Sequence, residues 1–356
     1  MADPRVKKLA NILVNHSLGV KRGETVLIAS SSELAKPLVV EVFREVMEAG
    51  GNPLTSVSFE ETQNVFYDKA DAAQLRNFPK VKDYEAKAID CFVSIRAPIN
   101  KKSLSGVDPK KISERSKVLR PIGETIVNKK RWVLCNYPTN ALAQEGDMSL
   151  AEYEDFLYGA TNVDWARVKR EEMKLKRTLD KGREVRIVGE DTDLRVGIKG
   201  RRAIPCFGLR NMPDGEVFLS PVEDSAEGYI YYEMPAIYQS REVTGIRLRF
   251  RKGKVVEASA DKNEKFLISM LDTDRGGRYL GELGVGVNYG IREFSKDILF
   301  DEKIGGTVHL AVGRSYEEAG GKNKSAIHWD MIKDLRKGGA LYVDGRCIQR
   351  NGRFLI

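Results

Sequence analysis

The chain has 356 residues, 42% of them hydrophobic and 31% charged, and its 59 Lys and Arg outnumber 51 Asp and Glu to give a net charge of +8. That length exceeds one ordinary core and predicts two domains, and the composition excludes a disordered chain. No apolar run approaches the roughly 18 residues needed to cross a bilayer, so no membrane role is expected and the expected location is cytoplasmic.

The opening segment, MADPRVKKLANILVNHSLG, has the pattern of an amphipathic helix and lacks the features of a secretory leader. Strand-like runs follow at TVLIASS (25–31), LTSVSF (54–59), IDCFVSI (89–95) and RWVLCNY (131–137). Helical patterns separate them: SELAKPLVVEVFREVMEAGG opens at Ser32 or Glu33 and closes at Gly50-Gly51, and DPKKISERSKVLR starts with an aspartate cap and a proline. Strands alternating with helices imply βαβ units and a largely parallel sheet. SLAEYEDFLYGA begins with a capping box, Ser149 to Glu152, and a basic helix, VDWARVKREEMKLKRTLDKG, bridges to the second half.

The net charge raises the question of nucleic acid, but that basic helix carries Glu171, Glu172 and Asp180 at ion-pairing spacings and no interleaved aromatic residues. A solvated, salt-bridged helix is the expectation, with no nucleic-acid partner. The 4 cysteines (Cys91, Cys135, Cys206, Cys347) form no CxxC pair and fit a reducing compartment. The Lys- and Glu-rich, glutamine-poor composition points to a thermophilic source.

From residue 184 the pattern changes. EVRIVGED–TDLRVGIKG, TGIRLRFRKGKVVEASA with its turn at Lys252-Gly253, and ALYVDGRCIQRNGRFLI all read as hairpins, interrupted by one good helix, NEKFLISMLDT. The expected architecture is an α/β domain over 1–183 with a largely parallel sheet, then a mostly antiparallel, β-rich α+β domain over 184–356 that carries the chemistry.

Only 3 histidines occur. His16 falls on the polar side of the first helix and reads as a surface residue. His328 lies in SAIHWDM, two residues before Asp330; on a strand these side chains share a face, whereas on a helix they diverge. His309 lies in the β-type run GGTVHLAVG. Acids recur nearby in apolar or glycine-rich settings: Glu216 in NMPDGEVFLSP, Glu282 in YLGELGVG, and Asp301-Glu302 in ILFDEKIGG. A charge in such a setting is costly unless paired or bound to a cation, and carboxylates with imidazoles are a divalent-metal set. Taken singly the acids have plainer readings: a Glu after a Pro-Asp-Gly turn is ordinarily an exposed first strand residue, and Glu282 between glycines can cap backbone amides. No Walker loop, G-x-S-x-G elbow or HExxH is present.

NMPDGEVFLSPVEDS, GELGVGVNYGI, ILFDEKIGGTVHLAVGRSY, GGKNKSAIHWDMI and VDG, in this order, resemble the thermophilic aminopeptidase T family of metallo-aminopeptidases, peptidase family M29. IRAPIN, RWVLCNYPT and MSLAEYEDF extend the resemblance over most of the chain. The resemblance implies two divalent metal ions per chain (Zn, Co or Mn), with Glu216, Glu282, His309, His328 and Asp330 as metal ligands and Glu282 as the bridge. It also implies Tyr316 at the site and Glu302 as general base or additional ligand; a phenol so placed is expected, on chemical grounds, to donate to the developing oxyanion. The KIGGTV spacer before His309 is longer than in better-known bacterial members, which bears on Glu302 and not on the histidine. Homodimers whose N-terminal domains restrict access, and short peptide substrates, follow from the same resemblance. The rival reading uses His309, His328 and Asp330 alone as the 2-His-1-carboxylate set of a mononuclear non-haem iron ring-cleaving dioxygenase. Glu216 and Glu282 discriminate, because a single iron does not need them.

Overall fold

Apolar runs alternating with helices build a parallel sheet in the first half of the chain. The structure, a computed structural model, describes residues 3–356 and resolves into two units. One holds the residues up to Asn162 together with Gly208–Pro213, the other Val163–Phe207 together with Asp214–Ile356. In the first, β1 (Thr25–Ser30), β2 (Asn52–Val57), β3 (Cys91–Arg96) and β4 (Arg131–Asn136) run parallel in the order β2-β1-β3-β4. Helices such as Lys36–Glu48 and Pro109–Lys129 make the crossovers that parallel strands require. Their starts follow the local chemistry: the Asp108 carboxylate accepts from Lys110 N, and Ser149 and Glu152 complete a capping box. No helix among the described residues is long and apolar enough to cross a membrane.

The second unit begins with the basic helix, Trp165–Lys181, which buries Trp165, Val168, Leu175 and Leu179 and, against the expectation of a solvated charge, Glu172; Lys176 and Asp180 pair at 2.6 Å and both hydrogen-bond the Ala203 backbone. It continues through β5 (Glu184–Gly189), β6 (Thr192–Gly197) and β7 (Ile204–Cys206). The chain then adds β8 (Asn211–Met212) beside β4 in the first sheet. Next come β9 (Glu216–Leu219), β10 (Glu227–Tyr232), β11 (Ala236–Tyr238), β12 (Arg241–Val243), β13 (Ile246–Arg251) and β14 (Lys254–Ser259). The last six are β15 (Leu280–Gly286), β16 (Thr307–Gly313), β17 (His328–Asp334), β18 (Ala340–Val343), β19 (Arg346–Arg350) and β20 (Arg353–Phe354).

These strands form an eight-stranded antiparallel sheet, ordered β14-β13-β10-β6-β5-β18-β19-β20, a β11-β12 hairpin, and a five-stranded antiparallel sheet ordered β17-β16-β15-β9-β7. The fold class is therefore the expected one, a parallel α/β part followed by an antiparallel, β-rich part. The five-stranded sheet is the more enclosed of the two, for every residue of β9, β15 and β16 is buried.

Candidate metal centre

Strand register puts the candidate residues on one face of the five-stranded sheet. Directly opposed residues in an antiparallel pair share a face, as do residues two apart along a strand. Ala311 of β16 lies opposite Glu282 of β15 on one side and Asp330 of β17 on the other. His309, two residues along, lies opposite Gly284, and Glu216 of β9 lies opposite Gly286. His328 lies opposite Gly313. Glu216, Glu282, His309, His328 and Asp330 thus project together, and each lies opposite a Gly or Ala on at least one neighbouring strand, with Cys206 and Ile332 on the other side of Glu216 and His309. Those small partners leave the space into which the long side chains converge. A Cβ on Gly284 would run into the His309 ring. A bulge between Leu280 and Glu282 shifts the register so that Leu280 pairs with Val312 and Glu282 with Ala311. It turns Leu280 to the far face and leaves the carboxylate on the site.

His309 Nε2 lies 3.2 Å from Glu216 Oε2 and 3.5 Å from Glu282 Oε1, while His328 Nε2 lies 3.1 Å from Glu282 Oε2 and 3.6 Å from Asp330 Oδ2. Two overlapping triads result, Glu216–Glu282–His309 and Glu282–His328–Asp330, each with its donor atoms within 4.8 Å of one another and both using Glu282. His328 Nδ1 donates to the Arg314 carbonyl at 2.7 Å, so its Nε2 faces the carboxylates with a free lone pair when the ring is neutral. Glu216 Oε2, Asp330 Oδ1 and both His309 ring nitrogens are buried without a well-formed hydrogen bond. Buried polar atoms are ordinarily satisfied, and an imidazole- and carboxylate-rich set left in this state fits divalent cations. Glu216, expected as an ordinary strand-opening glutamate to be exposed, is 6% exposed.

The other expected residues sit at the same place. A Glu302 oxygen comes within 4.8 Å of donor atoms of His309 and Asp330. The Tyr316 ring stands edge-on to His328, with centroids 5.1 Å apart, and packs on Phe218 at 5.4 Å. His16 lies in the other unit, half-buried in the helical segment Ile12–Leu18. Reading the sequence missed Lys303. Fully buried, it pairs through Nζ with Glu302 and lies 3.8 Å from Glu216 Oε1. A lysine beside Asp301-Glu302 in an apolar run was the available signal. Also missed was a cluster behind Glu216, formed by Cys206 and Asp214, with buried Glu172 next to it.

The site is short of positive charge. Burial raises the Glu216 carboxyl well above the usual range, and the neighbouring Glu302 charge adds to the rise. Burial likewise pushes Asp330 up to about 6 against the pull of His328. Burial alone would depress both imidazoles, yet the close Glu282 carboxylate and the acids around it lift His309 to about 10 and His328 to about 9. Glu282, despite its own burial, is held down to about 2 by the two adjacent histidines. Without metal the imidazoles are thus recruited as cations, a role that divalent ions take over on binding. Burial, followed by the charges of Glu282 and Asp330, raises the Tyr316 phenol, so it remains a proton donor at neutral pH.

A family model described as thermophilic metalloprotease (M29) matches residues 2–354. Aminopeptidase 2 of Geobacillus stearothermophilus is 27% identical, over 93% of this chain and 92% of its own length. Aminopeptidase T of Thermus thermophilus is 25% identical, over 99% of this chain and 98% of its own. The solved structure of wild-type AmpT from Thermus thermophilus shares the fold, with a TM-score of 0.86 at 23% identity over 99% of each chain.

Proposed function

The chain belongs to the thermophilic metalloprotease family M29 and is a metal-dependent aminopeptidase; on that premise we propose that it removes N-terminal residues from short peptides at a dinuclear centre. The observation that carries the reading is the pair of triads sharing Glu282 on one sheet face. Glu216, Glu282 and His309 would hold one ion, and Glu282, His328 and Asp330 the other. Bound divalent ions supply Lewis-acid activation of the scissile carbonyl and of water, and a place for the free α-amine.

The chain's own residues do the rest. Glu302, fixed by Lys303, accepts the proton of the attacking water and passes it to the leaving amine. Tyr316 donates its hydroxyl hydrogen to the oxygen on which negative charge develops; such donors are worth roughly 2.7–4 kcal/mol. The Arg314 carbonyl holds the His328 ring in one tautomer and orientation. A mononuclear iron reading leaves Glu216 without a role.

We place the dimer contact on the first unit. Val40, Phe43 and Met47 form an exposed stripe on the Lys36–Glu48 helix, near Leu54 and Val57 of the edge strand β2. Sedimentation of Phe43→Glu as a monomer is the expected check.

The test of the activity uses protein reconstituted separately with Zn, Co and Mn and offered unblocked and N-acetylated peptides. Release of the first residue from unblocked peptides alone is expected. Equal cleavage of acetylated peptides would contradict the exo-mode, and oxygen uptake with iron would favour the dioxygenase.

A further inference from the structure

The connection between β16 and β17, which carries Tyr316, lines a half-open cavity of about 360 Å³. Arg314, Glu317, Lys322, Asn323, Lys324 and Ser325 line it. Its neutral polar groups are already committed. Asn323 Nδ2 donates to the carbonyls of Gly276 and Gly313 at 2.9 and 2.6 Å, and Ser325 Oγ donates to Asp274 at 3.1 Å. Arg314, Lys322 and Lys324 are exposed, and none of them enters an ion pair among the described residues. Glu317 is the one acid on the wall, so the cavity carries an excess of positive charge.

Arg314 joins this cavity to the reaction centre. Its carbonyl accepts from His328, and its guanidinium is near enough to the Tyr316 hydroxyl to oppose the effect of Glu282, Asp330 and Glu302. The connection that walls this basic cavity thus also carries Tyr316 and, through the Arg314 carbonyl, holds His328 of the acidic cluster. A short peptide has the matching polarity, with an amine at one end and a carboxylate at the other. An extended chain spans about 3.3–3.6 Å per residue, so a di- or tripeptide reaches only about 7–11 Å.

We propose that the basic cavity receives the C-terminal carboxylate of di- and tripeptide substrates, with Arg314, Lys322 and Lys324 as its recognition groups. This rests on the aminopeptidase reading and narrows it to a substrate class. Charge-assisted contacts with a carboxylate favour the free acid over an uncharged amide and weaken as salt screens them.

The test compares kcat/KM for a tripeptide, its C-terminal amide, and an amide with aspartate as its third residue, using metal-reconstituted enzyme. The free acid is expected to exceed both amides by about tenfold at low salt. In the triple variant Arg314→Gln, Lys322→Gln, Lys324→Gln that ratio is expected to fall towards one. Equal rates on acid and plain amide in the wild type overturn the proposal and leave the aminopeptidase reading standing. So does an unchanged ratio in the triple variant. Recovery of the full rate by the aspartyl amide overturns the C-terminal assignment in favour of an acidic side chain. Failure to cleave any unblocked peptide overturns the aminopeptidase reading, and this proposal with it.

Discussion

In the eight-stranded sheet, β13 turns Ile246, Leu248 and Phe250 inward and Arg247, Arg249 and Arg251 to solvent. In the five-stranded sheet of the same unit, β15 and β16 have no exposed residue, yet they carry Glu282 and His309. Both sheets are antiparallel and rich in apolar residues. The first manages polarity by alternation, the ordinary solution for a sheet with one wet face. The second has nowhere wet to put a charge, so its carboxylates and imidazoles point at one another across a gap kept open by Gly284, Gly286, Ala311 and Gly313. Polar residues on a two-sided, buried sheet have no solvent to meet them, so they must converge on one another or on a bound ion.

The contrast yields predictions of decreasing size. Glu282→Ala removes the group common to both triads; losing metal-assisted catalysis costs several kcal/mol, so kcat/KM falls on the order of 10³-fold or more. Bound metal measured by atomic emission falls with it, and activity retained at the wild-type level would break the contrast. Gly284→Ala adds one methyl group against the His309 ring. Disturbing a ligand's orientation costs about 10–100-fold in metal affinity, which a competition titration reads.

The pH dependence of stability should differ in sign between the metal-free and loaded protein. In the metal-free protein the raised pKa values of about 10 for His309 and about 9 for His328 mean that folding favours the protonated rings. Their contribution is complete below the unfolded histidine value of about 6.5 and is lost as pH rises through 9 to 10. Metal needs the bare rings, so its uptake near pH 7.5 releases the two imidazole protons together with any held by the Glu216 carboxyl, and the stabilisation it adds grows with pH. Thermal melts across pH with and without metal, and calorimetry in buffers of different ionisation enthalpy, check both signs. On the wet sheet, by contrast, Arg249→Ala breaks an exposed pair with Glu257 at 3.2 Å and a 6.0 Å contact with the Tyr229 ring. Activity is expected to be unchanged and Tm to stay within about 1–2 °C.

Much of this was legible in the sequence where local chemistry decides the outcome. The runs at 25–31 and 131–137 become β1 and β4, and Lys252-Gly253 turns the β13–β14 hairpin with both residues at positive φ, 47° and 76°. His328 and Asp330 were readable as co-facial because the period of a strand is two. The strand itself starts only at His328, leaving Ile327 outside it, so SAIHWDM is a strand entry and not a strand throughout. The rest depends on pairing between distant segments. The bulge before Glu282, the seating of His309 against Gly284, the burial of Glu216 and the insertion of Lys303 beside Glu302 are set by register and packing, which no single stretch encodes.

The most direct test of the account is a metal titration of the stripped enzyme with activity followed in parallel. Full activity is expected to require two ions per chain, with Glu216→Gln binding one of them markedly more weakly. Full activity at one ion per chain, indifferent to Glu216→Gln, would contradict it.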